Sequence, residues 1–265
     1  MTDTPAGFAD AALVASYAQQ APNTVPGYHA VHTMASVLLA ERMPVDAHVL
    51  VLGAGGGLEV KAFATAHPEW TFTAVDPSSP MIDLARATLG SLASRMQVHE
   101  GYIDDAPDGP YDAATALLLL HLTDPQQRLH TLTEVRRRLH PGAPFVVMHV
   151  SYSQRDDAER QRWIDRHLAY LLAAGNDPTY VDKAGNMINH HMPALSPDED
   201  LALLEQAGFT HIEQFLTAFT FRGWVGYAEA RGSTHRMRQE VITPVCLQRD
   251  NGSAARSGDS IGHAA

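Results

Sequence analysis

The sequence predicts an α/β fold in which helices cover both faces of a doubly wound, mostly parallel sheet. From residue 48 to residue 151, short and almost continuously apolar segments alternate with amphipathic ones, which is the pattern of parallel strands buried on both faces. The first apolar segment runs into a turn that contains four glycines. Two further apolar segments, residues 209–217 and 219–228, lie close enough to form an antiparallel pair. Together these segments predict a seven-stranded sheet that ends in an antiparallel hairpin.

The N-terminal segment, residues 1–43, is predicted to form a helical lid. Ala, Leu and Val recur there at spacings of three and four residues, and "APNTVPGY" interrupts them. Because a Pro-Pro-Gly interruption predicts a turn, we expect a short helix, a loop and then a helix from about His29 to Arg42.

The elements of the alternating region follow from where each apolar pattern begins and stops. Pro68 and Gly90 end the first two helices, and Asp124 with Pro125 begins the third. The predicted strands cover residues 48–53, 71–76, 96–101, 111–120 and 143–151. The predicted helices between them cover residues 58–68, 79–90 and 125–139.

An insertion, residues 154–197, follows the fifth strand and is predicted to cap the sheet. A long helix should cover its first part, to about Ala174, whereas residues 175–197 lack clear periodicity and are expected to be irregular. Ser196 can cap the next helix. We expect one domain, residues 1–248, followed by a small, polar and disordered tail, residues 249–265.

Composition excludes several classes of function. With 265 residues, 45% of them hydrophobic, the chain can bury a single large core. No apolar run is long enough to cross a bilayer and no signal peptide is recognisable, so a cytoplasmic location is expected. One cysteine and the absence of ligand spacing among the histidines argue against a metal. A net charge of −11 argues against a nucleic-acid partner, and the run Arg136–Arg138 is expected to complement a helix dipole.

The glycine turn predicts a site where backbone N–H groups bind a cofactor. A strand, a glycine turn and a helix N-terminus present N–H groups to a ligand, and both dinucleotides and S-adenosylmethionine use such a site. Gly53, Gly55 and Gly57 form G-x-G-x-G, but Leu58 stands where a dinucleotide site requires a small residue. The turn therefore favours S-adenosylmethionine, with a tight structural turn as the alternative.

Carboxylates at two later strand ends extend this prediction. Asp76 ends the second strand about 20 residues after the glycine turn, where it can accept hydrogen bonds from ribose hydroxyls or cap the next helix. Asp104 and Asp105 follow the third strand, where one of them can accept a hydrogen bond from an adenine amino group, the alternative being a solvated acidic loop.

With its closing hairpin, the chain resembles the class I S-adenosylmethionine-dependent methyltransferases over roughly residues 25–230. The segments "TVPGYHAVHTMASVLLAER" and "AGFTHIEQFLTAFTFRGWVGYA" further resemble the carboxy-S-adenosylmethionine synthases, often described as tRNA wobble-uridine methyltransferases. That resemblance implies that Tyr28 touches the cofactor and that Asp105 binds adenine. It also places Leu117 where the family has a cofactor-binding Asn. The cofactor-binding residues predicted from the turn, the strand ends and the resemblance are Tyr28, Gly53, Ala54, Gly55, Gly57, Asp76, Pro77, Met81, Asp104, Asp105 and Leu117.

The resemblance also bears on which cofactor is used. A Lys-Arg pair that is associated in the family with the extra carboxylate falls near Ala184 and Gly185 in this chain. A buried carboxylate without a cationic partner costs on the order of several kcal/mol. We therefore expect ordinary S-adenosylmethionine rather than its carboxylated derivative.

The reaction itself leaves the catalytic residues open. Methyl transfer from a sulfonium depends chiefly on alignment, and a base is needed only if the acceptor must lose a proton. His121 and His149, which end the fourth and fifth strands, are the predicted catalytic residues, although both can equally be packing residues. We expect a small-molecule acceptor. The alternatives are a carboxy-S-adenosylmethionine synthase or tRNA-modifying enzyme and a binding protein without turnover; a homodimer and a monomer are equally compatible with the sequence.

Overall fold

The computed structural model describes residue 14 and residues 20–229. The predicted tail, residues 249–265, and most of the first helical segment lie outside these residues. The helices of the described part that exceed one turn and carry a label below are α1 (Tyr28–Ala40), α2 (Leu58–Ala66), α3 (Ser79–Leu89), α4 (Pro125–Arg137), α5 (Asp157–Ala173), α6 (Pro178–His190) and α7 (Pro197–Gln206). The strands are β1 (His48–Leu52), β2 (Thr71–Asp76), β3 (Met96–Glu100), β4 (Ala113–Leu117), β5 (Pro144–Val150), β6 (Phe209–Ala218) and β7 (Phe221–Ala228).

The seven strands form one sheet in the order β3-β2-β1-β4-β5-β7-β6. The first five strands are parallel to one another, whereas β7 runs antiparallel to both β5 and β6. The predicted doubly wound sheet with a closing hairpin is therefore confirmed. Because β1 and β4 are neighbours although the chain leaves them in opposite directions, a crevice opens between their carboxyl ends, where ligands bind in folds of this kind.

Side chains alternate between two apolar cores, one on each face of the sheet. Val146, Met148 and Val150 of β5 point into the core that α1, α2 and the α5–α6 pair cover. Phe145 and Val147 point into the other core, which α4 and α7 cover. Position along a strand therefore decides which face, and which set of helices, each polar residue meets.

Helix starts match the predicted caps. The Asp124 carboxylate accepts a hydrogen bond from the N–H of Gln127 at 2.9 Å and so begins α4. Ser196 and Glu199 form a reciprocal capping box at the start of α7. Within residues 20–229, no helix combines the length and the hydrophobicity that crossing a bilayer requires.

The fourth strand is shorter than predicted. It ends at Leu117, because Leu118 adopts a left-handed conformation with φ of 61° and donates its N–H to the Met148 carbonyl at 2.6 Å. The chain then leaves the sheet in a short 3₁₀ helix, Leu120–Leu122. The apolar run that predicted a strand to residue 120 thus continues beyond the strand into this 3₁₀ helix, where Leu120 is buried.

The prediction of an irregular segment over residues 175–197 is wrong for most of its length. Asp177 caps α6 and Pro178 occupies its first turn. Val181, Gly185 and Ile188 form its buried stripe, at the spacing of one helix face, but the polar residues between them conceal the period. The insertion after β5 is consequently a pair of packed helices, α5 and α6.

Candidate active site

The glycine turn leaves β1 at the carboxyl edge of the sheet and enters α2. Its first, third and fifth residues, Gly53, Gly55 and Gly57, have φ of 65°, 50° and 77°. At Gly57 a Cβ atom would lie 2.8 Å from the Cα of Ala85, so a side chain there would push α2 and α3 apart. The turn therefore needs glycine both for its left-handed backbone and for the close approach of α3.

Asp76, the last residue of β2, holds this turn in place. Its Oδ2 accepts the N–H of Gly55 at 3.1 Å and its Oδ1 accepts the N–H of Ser78 at 2.9 Å. The carboxyl group is 7% exposed, and burial raises its pKa despite these two hydrogen bonds. Because each carboxylate oxygen can accept a second hydrogen bond, Asp76 can support the turn and still receive ligand hydroxyls. The helix after it is capped by Ser78 instead.

A cavity opens where the glycine turn, α1 and the end of β4 meet. The residues that line it are Tyr28, His32, Gly53, Ala54, Gly55, Gly56, Leu58, Glu59, Leu117 and Leu118. Five of the predicted cofactor residues lie in this wall, although they come from three separate parts of the sequence. Tyr28 and His32 pack edge to face, with ring centroids 4.6 Å apart, and both are almost fully buried.

Two titratable residues of this wall were not predicted from the sequence. Burial raises the pKa of Glu59 to about 8, against the opposing effect of the Thr115 hydroxyl. Burial, and to a smaller extent His29, lowers the pKa of His32 to about 4. Both side chains are therefore mostly uncharged near neutral pH. The sequence signal for Glu59 was a carboxylate two residues after the last glycine; the signal for His32 was its position one turn after Tyr28 on α1.

The other predicted cofactor residues lie at the same edge of the sheet but outside the cavity wall. Pro77 lies between Asp76 and the cap of α3, Ser78, and Met81 lies in the first turn of α3. Asp104 and Asp105 follow β3, and both are exposed. Asp104 Oδ1 lies 2.5 Å from Nε2 of His130, so this carboxylate already has a partner. Asp105, the residue that the resemblance assigns to adenine, is equally exposed.

His121 and His149 lie on the opposite face of the sheet from the cavity. His149 points into the core under α4 and α7, where its Nε2 lies 3.1 Å from Oδ1 of Asp200. His121 is buried in the turn after β4, and burial together with His149 and Arg128 lowers its pKa to about 3. Neither imidazole lines the cavity. Their side chains point this way because strand alternation sends His149 to the α7 face and because β4 ends before His121.

Arg128, Asp200 and His149 form a buried ionic cluster, called the Arg128 cluster below. Arg128 Nη1 lies 2.5 Å from Oδ1 of Asp200, and both side chains are buried. Burial alone would raise the pKa of Asp200, but His149 and Arg128 more than offset it and lower the pKa below its ordinary value. Arg128 Nη2 also donates to the carbonyls of Pro193 at 2.9 Å and Thr123 at 3.3 Å. One guanidinium thus joins α4, α7, the end of the insertion and the turn after β4.

Known proteins resemble the chain in sequence and in fold. It is 27% identical over 203 residues to the carboxy-S-adenosyl-L-methionine synthase of Actinobacillus succinogenes, which covers 75% of this chain and 83% of that protein. Among solved structures, the CurJ carbon methyltransferase has a TM-score of 0.60 at 16% identity, and an O-methyltransferase family protein from Burkholderia thailandensis has 0.57 at 16%. These two matches cover 83% and 87% of this chain but only 61% and 66% of the two matched proteins.

The strands that carry the glycine turn and Asp76 also match a family model. That model, described as a methyltransferase domain, matches residues 49–142, from β1 to the loop before β5. Residues 49–142 thus form a methyltransferase domain, and the chain is an S-adenosylmethionine-dependent enzyme. The matched region contains the whole glycine turn, Asp76 and the end of β4, and leaves α1 and the insertion outside.

The residues of this methyltransferase fit its cofactor, S-adenosylmethionine. The cavity wall offers the backbone of the glycine turn, the Tyr28 ring and, at Glu59 Oε1, a buried acceptor without a hydrogen-bond partner among the described residues. Next to the turn, Asp76 keeps free acceptor capacity. When it is bound, S-adenosylmethionine supplies a methyl group that is already activated for transfer.

Proposed function

We propose that the methyltransferase transfers the methyl group of S-adenosylmethionine to a small organic acceptor, at an oxygen, nitrogen or carbon atom. The observation that carries this proposal is the cavity between the glycine turn, α1 and the end of β4. In this proposal the glycine turn and Asp76 hold the amino-acid and ribose parts of the cofactor, and Asp105, with Pro77 and Met81 nearby, contacts its adenine. Leu117 and Leu118, which line the cavity at the end of β4, would hold the methyl-bearing part of the cofactor.

The helices α1, α5 and α6 are proposed to form the cover of the acceptor site. Tyr28 of α1, Ile164 of α5 and Ile188 of α6 belong to one apolar core together with Tyr152, the second residue after β5. The three helices therefore pack around the carboxyl end of the sheet. In this proposal they enclose a small organic acceptor, since sites for such molecules are concave and largely apolar.

The wall of the cavity favours catalysis by alignment. His121 and His149, the two histidines predicted to be catalytic, do not line it, so we propose no acid or base role for them. His32 does line it and is uncharged above about pH 4. For an acceptor that must lose a proton, His32 is the imidazole among the residues that line the described cavity.

A nucleic-acid acceptor has little support on the surface of the described residues. The run of basic residues that could have formed a patch is engaged: Arg138 is buried, with Nη2 donating to the Ala106 carbonyl at 3.1 Å, and Arg137 pairs with Asp108 and Glu134. Arg136 bonds to the Glu229 backbone. Since phosphate binding depends on free Lys and Arg, an acidic protein of this kind favours small acceptors.

A transfer assay tests the proposal. The protein is incubated with methyl-labelled S-adenosylmethionine and separate panels of phenols, amines and carbon acids, and S-adenosylhomocysteine and labelled product are measured by mass spectrometry. We expect product that depends on one acceptor class and that is lost in Asp76→Ala. A wild-type protein that binds the cofactor but yields no product with any class would contradict the proposal and favour a binding protein without turnover.

The second candidate function is carboxyl transfer from prephenate to the cofactor, and the name of the Actinobacillus succinogenes relative favours it. The residues of the insertion argue against carboxyl transfer. Ala184 and Gly185, where the resemblance places a Lys-Arg pair, lie in α6, and a Cβ atom at buried Gly185 would lie 3.1 Å from Leu168 Cδ1. Lys183 next to them is exposed. At these positions the described chain provides no buried cation for a second carboxylate.

Mass spectrometry of the nucleoside that copurifies with the protein separates the two candidates, because the carboxylated cofactor is heavier than the ordinary one. We expect S-adenosylmethionine or S-adenosylhomocysteine. Recovery of the heavier nucleoside, or its formation from S-adenosylmethionine and prephenate, would favour the synthase. We also propose a cytoplasmic location. The proposal is compatible with a monomer or a homodimer, and gel filtration with light scattering distinguishes the two.

A further inference from the structure

Glu59 is a buried carboxyl group without a charged partner among the residues that the structure describes. It is the second residue of α2 and 6% exposed. Neither its Oε1 nor the Thr115 hydroxyl oxygen has a partner at hydrogen-bond geometry among the described residues, although the Thr115 hydroxyl acts on the carboxyl group and opposes the rise in its pKa. One hydroxyl can satisfy only part of the hydrogen-bonding capacity of a carboxyl group, so Glu59 in the cavity wall can still accept a further donor.

The residues around Glu59 leave that donor to come from a ligand. The other titratable side chains of the cavity wall are Tyr28 and His32, both from α1. His32 carries no charge near neutral pH. On the α3 side, Asp83 and Arg86 are exposed and pair with each other at 3.2 Å. His29 of α1 opposes a positive charge on His32, and no described side chain of α1 or α3 forms an ion pair with Glu59.

The cofactor brings one group that matches this need. Its sulfonium carries a positive charge but has no hydrogen to donate, whereas its α-ammonium group has three N–H donors. Its ribose hydroxyls are also donors, but Asp76 lies at the end of β2 to receive them. A hydrogen bond between an ammonium and a carboxylate in a buried site is among the stronger polar interactions in proteins.

We propose that Glu59 is the partner of the cofactor's α-ammonium group and that it changes from carboxylic acid to carboxylate when the cofactor binds. The proton leaves to the solvent, no other bond changes, and the complex gains a buried ion pair. This inference rests on the cofactor site of the proposed function but not on the identity of the acceptor. It makes cofactor binding a proton-releasing step.

The amount of proton release follows from the properties of Glu59. Burial raises its pKa to about 8, so roughly 90% of the free protein carries the proton at pH 7. If the ammonium lowers that pKa by ~2 units, roughly 10% keeps it, and about 0.8 proton is released per cofactor bound. Above pH 9 the release should vanish, because Glu59 is then ionised before binding.

Calorimetry measures this release directly. S-Adenosylhomocysteine is titrated into the full-length protein at pH 7 in buffers of different ionisation enthalpy, and the slope of the observed enthalpy gives the number of protons released. We expect about 0.8 for the wild type and near zero for Glu59→Gln, which keeps the shape of the side chain but cannot ionise. We also expect the variant to bind about 10- to 100-fold more weakly. Glu69→Gln, at an exposed glutamate outside the cavity, is the matched control and should behave like the wild type.

A second ligand keeps the test independent of the variant's stability. 5′-Methylthioadenosine has the ribose and adenine but lacks the amino-acid part, so wild-type protein should bind it without proton release, and Glu59→Gln should bind it with unchanged affinity. Wild-type binding of S-adenosylhomocysteine without linked protons overturns the inference, and so does an equal loss of affinity for both ligands in Glu59→Gln. These outcomes leave the proposed methyl transfer untouched, since that is measured with an acceptor.

Discussion

Lowering the pH from 7 to 5 should destabilise the fold, because three buried histidines are held uncharged. Burial lowers the pKa of His32 and His167 to about 4, and burial together with His149 and Arg128 lowers that of His121 to about 3. The unfolded chain takes up these protons near pH 6.5. The stability they contribute is therefore fully present above that pH and is lost as the pH falls towards the folded values.

The magnitude follows from the width of that window. Between pH 7 and pH 5, each of the three histidines removes about 2 kcal/mol from the free energy of unfolding. Glu59 acts in the opposite direction, since its pKa is raised in the fold, and it returns about 3 kcal/mol over the same range. The expected net loss is about 3 kcal/mol, a large fraction of the 5 to 15 kcal/mol of a typical domain.

Urea unfolding followed by circular dichroism at pH 7 and pH 5 measures the loss. His167 packs edge to face on Phe221, and its Nδ1 has no partner among the described residues, so His167→Leu removes one titrating group and breaks no hydrogen bond at Nδ1. The variant should lose about 2 kcal/mol less than the wild type between the two pH values. His140→Gln, at an exposed histidine, is the control. Equal unfolding free energies at pH 7 and 5, or an unchanged loss in His167→Leu, would refute the reasoning.

Three further predictions concern the glycine turn and the Arg128 cluster. Asp76→Ala removes the acceptor of two backbone N–H groups and should weaken S-adenosylhomocysteine binding by at least about 10-fold in calorimetry; unchanged affinity would contradict its role. Gly57→Ala should destabilise the protein by more than about 2 kcal/mol, since its Cβ would lie 2.8 Å from Ala85 Cα, whereas Gly142→Ala, with a similar φ of 80° and open space, should cost only the backbone term, about 1 kcal/mol. Arg128→Met leaves a buried carboxylate without its cation and should cost about 3 to 5 kcal/mol in urea unfolding; a loss below about 1 kcal/mol would show that the cluster is not a structural anchor.

Much of the fold could be predicted because its signals are local. Apolar runs, proline and glycine stops, and the caps at Asp124 and Ser196 each depend on a few adjacent residues. The helix α6 could not be recognised in the same way, because its buried stripe is only Val181, Gly185 and Ile188, and a glycine in that stripe reads as a turn. Packing of Gly185 against Leu168 stabilises a helix that the local pattern does not favour.

The sequence predicted those site residues whose positions are set by the backbone alone. The glycine turn and Asp76 occupy the expected edge of the sheet because strand ends place them there. His121 and His149 were assigned from the same edge, but which face a side chain meets depends on strand register and on where β4 stops, and the left-handed Leu118 was not visible in an unbroken run of leucines. Glu59 was missed because a carboxylate in the first turn of a helix is ordinarily a favourable surface residue, and only tertiary burial makes it unusual.

At the carboxyl edge, the two faces of the sheet carry different kinds of buried polar group. On the α1 face, Glu59 and His32 are uncharged without a ligand, so the cavity gains its charges from what binds there. On the α7 face, the Arg128 cluster is already neutralised within the protein and bonds to the backbone at Thr123 and Pro193. Thr123 ends the turn that begins beside the cavity, and Pro193 lies just after α6. Because the Arg128 cluster binds both backbone segments, it fixes the position of α6 relative to the cavity wall. Side chains on α5 and α6 can therefore change to suit an acceptor while the cofactor residues stay in place, which is why we expect acceptor specificity to reside in the insertion.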